Sequence, residues 1–217
     1  SEPLTSSTAE YVSLDASADT LRNALVNIVC YVSSKNSLHS ISGSGIIIDP
    51  KGIILTNAHI AQYFLLANHG VSCVIRSGSP AVEKYTAALI YLPTSWVSAN
   101  SKVLTEANPI GTGEHDFALL AISKDVSDSP PPSSFPFIPL ASRPSFPGAP
   151  VVIASYGAQF LTSNQIQSFL FPTIVFGSIK DIYTFSERTI DIFSLGGSAA
   201  AQEGSSGGGV ANSNGEL

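Results

Sequence analysis

Short runs of β-branched and aromatic residues, each broken by Gly, Pro, Ser or Asn, recur along the chain from about residue 26 onward. Helix-length amphipathic patterns are scarce, so the pattern predicts an all-β protein. One helix is expected near the start. In LDASADTLRNAL, Ser17 and Asp19 stand as capping residues ahead of Leu21, Leu25 and Ile28 at helical spacing, which predicts a short helix from Asp15 after a loose tail over residues 1–14. A first strand follows near residues 26–33. Next, two β-branched runs in GSGIIIDPKGIILTNAHI flank Asp49-Pro50-Lys51-Gly52, a Pro-then-Gly turn signal, so a hairpin is expected with His59 at the end of its second strand. AQYFLLANHG predicts a short helical turn stopped at His69-Gly70. Strands are expected over about 71–77, 84–92 and 116–123, with a polar insertion at 94–115 that holds Trp96. These make a set of six.

The segment from Ser123 to Pro150 carries 8 of the 14 prolines, and a strand interior cannot use a residue without an N–H donor. It is expected to be a surface linker between two halves. Strand patterns then resume in VVIASYG, FLFPTIVFGSI with DIYTF, TIDIFSL and GGGVAN. A helix and first barrel over 15–123, a linker over 124–150 and a second unit over 151–217 predict two packed antiparallel β-barrels with a cleft between them.

Composition narrows the function. Charged residues make up 12% of the 217 residues and the net charge is -6, with no basic patch for nucleic acid and a poor balance for anionic membrane surfaces. No run of about 18 apolar residues is present to span a bilayer. The chain has no Met and opens on the polar Ser1, so a processed or excised piece is expected. Cys30 and Cys73 lie inside apolar runs. They are read either as buried free thiols or as one bridge, the second implying an oxidising compartment.

Three segments carry candidate chemistry: Thr56-Asn57-Ala58-His59, His115-Asp116-Phe117-Ala118-Leu119-Leu120 and Gly204-Ser205-Ser206-Gly207-Gly208. A serine among glycines is by itself an ordinary flexible turn. With one histidine and one aspartate upstream it reads differently: a serine hydroxyl needs an imidazole to take its proton, and the imidazole needs an acceptor on its other nitrogen. Asp116, followed at once by an apolar run, suits that last role. Asp125, Asp128, Asp181 and Asp191 are alternative carboxylates, and His39, His69 and His115 are read as turn or surface residues, the side chain of His115 pointing away from that of Asp116. The segment 204–208 also fits GxSxG, but a nucleophile elbow of that kind requires its acid and histidine after the serine.

The order His, Asp, Ser in TNAH, DFALL and GSSGG resembles the chymotrypsin-fold serine peptidases, and the GSGIII…GIILTNAHI hairpin resembles the trypsin-like and HtrA-like bacterial branch, over roughly residues 26–217. The resemblance implies Greek-key barrels and a serine endopeptidase: Ser206 as nucleophile, His59 as general base and then acid, Asp116 as orienting carboxylate, and the Gly204 and Ser206 amides as the oxyanion hole. It implies a polypeptide substrate, no cofactor, no metal and an extracytoplasmic location. By alignment the primary specificity pocket falls at Ser198, Ala199 and Ala200, which lack a carboxylate, so an uncharged and apolar side chain is the expected preference. Ser205 stands where an aspartate is usual, and the chain stops where strands completing the second barrel are expected, leaving that barrel incomplete. A catalytically silent partner-binding protein and an esterase using the same triad are the alternatives.

Overall fold

The computed structural model describes residues 5–33, 39–100, 113–158, 161–185, 189–196 and 204–217. It opens on helix α1, Thr5–Ala24. The helix is therefore longer than the short one expected from Asp15. No Gly or Pro interrupts Thr5–Ser13, so the helix anchored by its C-terminal part can propagate back through a segment whose polar composition looked like a tail. The anchor is a stripe of Leu14, Ala18 and Leu21, buried at spacings of four and three.

Strands β1 (Leu25–Val32), β2 (Ile41–Asp49), β3 (Ile53–Thr56), β4 (Val71–Ser77), β5 (Val82–Tyr91) and β6 (Ala118–Asp125) close into an antiparallel barrel in the order β1-β2-β3-β6-β5-β4. The six-strand expectation holds, with boundaries shifted by a residue or two. His59 lies beyond the strand rather than at its end. The ladder of β3 stops at Thr56, and Ala58–Ala61 form a one-turn helix, α2, which runs into a 3₁₀ stretch over Gln62–His69 that ends on Gly70 in the left-handed region. The insertion after β5 contains helix α3, Thr94–Ala99, on which Trp96 is buried.

Cys30 and Cys73 face each other across β1 and β4 and form a disulfide. Reduction is expected to add about 2 Da and, with the two cysteines 43 positions apart, to lower stability by about 2–4 kcal/mol. Two freely alkylated thiols in unreduced protein would contradict this.

Between Asp125 and Pro150 no strand forms. The segment is nonetheless more than a surface wrap. Phe135 and Ile138 are buried in the core, and their backbone N–H groups donate to the carbonyls of Pro50 (2.9 Å) and Ile47 (3.0 Å). Phe135 packs edge-on against Tyr85. The segment is thus stapled to the hairpin that leads to His59.

Among the described residues the second unit is a four-stranded antiparallel sheet in the order β10-β7-β8-β9: β7 Pro150–Ser155, β8 Thr173–Tyr183, β9 Ile192–Gly196 and β10 Gly209–Ala211. FLFPTIVFGSI and DIYTF, grouped in the sequence, contribute to the single strand β8 across a register shift opposite β9. A capped helical turn, α4 (Ser163–Ser168), connects β7 and β8. Strand β7 is buried on both faces, which is why it reads as an unbroken apolar run. Val152 and Ala154 join the large core with α1, while Val151 and Ile153 pack with Ile179 in a smaller one.

Candidate active site

The β3–β6 register places the first two residues of the site. Thr56 pairs with Ala118 as the last rung, so the segments leaving the ladder, Asn57–His59 and Asp116–Phe117, emerge side by side. The side-chain amide of Asn57 donates to the carbonyl of Asp116 (2.7 Å), extending the contact one step past the sheet. From α2, the His59 backbone N–H donates to Oδ1 of Asp116 (2.9 Å), and Nδ1 of the ring meets Oδ2 at 2.7 Å. Both carboxylate oxygens are thereby engaged by one residue. Gln62 ties down the other side of the turn, its Nε2 donating to the His59 carbonyl at 2.9 Å.

Asp116 does not open a strand, as its apolar neighbours implied. It sits two residues earlier, in a turn where His115 adopts a positive φ of 56° and its Nε2 lies 3.6 Å from Glu114 Oε1. Desolvation opposes the charged form of Asp116. The hydrogen bond and charge of His59, with the N–H groups of His59 and Ala58, outweigh it and hold the carboxyl below its ordinary value of 3.8. A depressed folded pKa means the carboxylate's contribution to stability is complete above the unfolded value and is lost as pH falls through the folded one. Below about pH 4, wild type should therefore lose thermal stability faster than Asp116→Asn, which has no proton to gain. Parallel melting curves down to about pH 3 would contradict the ion-pair geometry.

The third residue arrives from the second unit. Val210 and Ala211 pair with Ile153 and Val152 of β7, and the turn just before them, Gly204–Gly208, is carried to the barrel. Gly204 and Gly207 both have positive φ (86° and 82°), the conformation in which glycine has no Cβ penalty. At Gly207 close approach matters as much: a Cβ there would collide with the carbonyl oxygen of Ser44 and lie 2.5 Å from Oγ1 of Thr56. Ser206 and Gly204 line the same cleft as His59. Its volume is about 640 Å³, with Ile41, Ile60 and Ala158 in its walls. Ser198, Ala199 and Ala200 lie outside the described residues.

The alternative carboxylates are occupied elsewhere. Asp125 caps Ser127, Asp128 pairs with Lys124, Asp181 accepts from Ser194, and Asp191 accepts from Thr184 and Thr189. None of these contacts involves His59.

The family model of the trypsin-like peptidase domain matches residues 43–217. The chain belongs to this family. No curated protein matches it. The match begins at Gly43, in the hairpin that leads to His59, and takes in the three segments singled out above. Read as a trypsin-like peptidase domain, the chain also has residues around the site beyond the three candidates: Asn57, Gln62, Ser44 and Thr56. Asn57 had a signal, standing two residues before His59. Thr56 stands in the same TNAH segment, whereas nothing near Ser44 in the sequence points to its partner Gly204, 160 residues away.

Proposed function

We propose that this peptidase-family chain is a serine endopeptidase that works through an acyl-enzyme on Ser206. The observation that carries the reading is the double engagement of Asp116 by His59, which commits Nδ1 to the carboxylate and leaves Nε2 for the cleft it shares with Ser206. In the reaction, Ser206 Oγ attacks the scissile carbonyl while His59 Nε2 takes the hydroxyl proton. The imidazolium, stabilised by Asp116, then returns a proton to the leaving amine, and a water activated by the same ring releases the acyl group. The negative oxygen of the tetrahedral intermediate is met by the N–H groups of Gly204 and Ser206. All of these groups are side chains or backbone amides of the chain itself.

The cleft walls among the described residues contain no Asp, Glu, Lys or Arg, which supports a preference for substrates uncharged next to the scissile bond. The disulfide supports an oxidising, extracytoplasmic setting, and the GSGIII hairpin supports placement near the HtrA-like branch. No helix among the described residues is long and apolar enough to cross a membrane.

Turnover of an unstructured polypeptide against an activated ester tests the reading. Cleavage of both is expected, with internal peptide cuts after uncharged residues. Ester turnover without peptide cleavage would make the chain an acyl hydrolase, and cuts confined to Lys or Arg would overturn the predicted preference.

A further inference from the structure

Strand β3 pairs with β2 only from Ile46 onward, so the edge of β2 at Ser44 is left open, and it is there that the turn carrying Ser206 docks. Ser44 is fully buried and uses all of its polar groups on this junction. Its N–H donates to the carbonyl of Ser206 (2.7 Å), and its hydroxyl donates to the carbonyl of Gly204 (2.9 Å). The same hydroxyl accepts from the N–H of Tyr156 at the end of β7 (2.9 Å), and the Ser44 carbonyl accepts from Oγ1 of Thr56 (2.7 Å). Within the turn, the carbonyl of Ser205 accepts from the N–H of Gly208 (2.8 Å).

Three consecutive carbonyls, those of Gly204, Ser205 and Ser206, are therefore each held by a donor. In a planar trans peptide the C=O and the following N–H point in opposite directions. Pinning the Ser205 carbonyl inward turns the Ser206 N–H outward, and clamping the carbonyls on either side keeps that peptide from rotating. Two of the three clamps come from Ser44. Because the same hydroxyl also holds Tyr156 N–H, it couples the turn to the second sheet as well as to the barrel.

We propose that Ser44 is a positioning residue: it locks the turn that presents Ser206, and through that lock sets the reactivity of the Ser206 hydroxyl and amide. Its effect on reactivity rests on the peptidase reading, while the lock itself does not. An alanine in its place removes one clamp and leaves the buried Tyr156 N–H without its acceptor, a loss that corresponds to a factor of about 10 to 100 in the population of the ordered turn.

The test follows two readouts in the full chain. Amide exchange at Gly208 reports on the turn through a bond that the substitution does not itself remove, and the rate of fluorophosphonate attachment to Ser206 reports on reactivity. In Ser44→Ala, exchange at Gly208 should quicken at least about tenfold and attachment should slow about 10- to 100-fold. Ile75→Val, a small core change in β4 away from the turn, should alter neither. Should Ser44→Ala fail to fold, Thr56→Val, which frees the Ser44 carbonyl, should move both readouts in the same direction by a smaller factor. Unchanged exchange at Gly208 overturns the lock. Faster exchange with undiminished attachment overturns the positioning role. A wild type that takes no label overturns the peptidase reading instead, and the exchange result then decides the lock by itself.

Discussion

Replacing Asp116 by asparagine is expected to slow acylation of Ser206 by about 10⁴-fold, the loss seen for this change in the Ser-His-Asp template, while the fold is kept. The reason lies in how both carboxylate oxygens are used. Oδ1 accepts from the His59 backbone N–H and Oδ2 meets Nδ1 of the ring. An asparagine has only one acceptor oxygen. If that oxygen stays with the backbone N–H, the amide NH₂ faces Nδ1, which must then be the unprotonated nitrogen, so the proton moves to Nε2. The ring then faces Ser206 with a donor where a base is required. If the amide flips, its NH₂ opposes the backbone N–H and the α2 turn is pushed away. Either outcome costs the base. Single-turnover labelling rates, set beside a melting curve, check this. A loss of less than about tenfold in a folded variant would show that Asp116 does not govern the imidazole.

The second large effect is expected at Gly207. Gly207→Ala places a Cβ on a residue with φ of 82° and drives it into the carbonyl oxygen of Ser44, with Oγ1 of Thr56 at 2.5 Å. Both obstacles belong to the same buried junction: Ser44 is a barrel backbone position, and Thr56 is held to it by a 2.7 Å hydrogen bond. Neither can swing aside. The turn has to lift off the edge of β2, which breaks the bond from Ser44 N–H to the Ser206 carbonyl and displaces Ser206. A stability loss of about 3–5 kcal/mol and a fall in labelling of at least about 100-fold are expected, the range reached when backbone strain and a lost buried network combine. A variant that melts like wild type and labels at its rate would mean that the turn is not seated on Ser44.

Much of the architecture was legible because its cause is local. NIVCYV, GIIID, IILT, VSCVIR and ALLAI are short apolar runs of strand length, most of them with β-branched residues, and turn residues such as Pro and Gly mark where several of them stop. His59, Asp116 and Ser206 could be picked out because their neighbours, TNA, FALL and the glycines, are unusual in combination. What stayed hidden depends on distant partners. Nothing near Thr5–Ser13 announces that a helix anchored at Leu14, Ala18 and Leu21 will extend back through it. Phe135 and Ile138 sit in a proline-rich stretch whose composition says surface, yet the hairpin offers them carbonyl partners and a core to enter. The short helix at Ala58–Ala61 replaces strand because Asp116, 57 residues later, captures the His59 N–H. Ser44 looked like a hairpin residue between two glycines, and its role exists only once β7 and the Ser206 turn are folded against it.

On the peptidase reading, His59 activates Ser206. Intact-mass and peptide mapping of the folded full chain after exposure to a fluorophosphonate test it most directly. One adduct on Ser206 is expected, absent from Ser206→Ala and slowed by at least about 10³-fold in His59→Ala. No adduct on folded wild type, or an adduct on Ser206 that forms at an undiminished rate without His59, would contradict it.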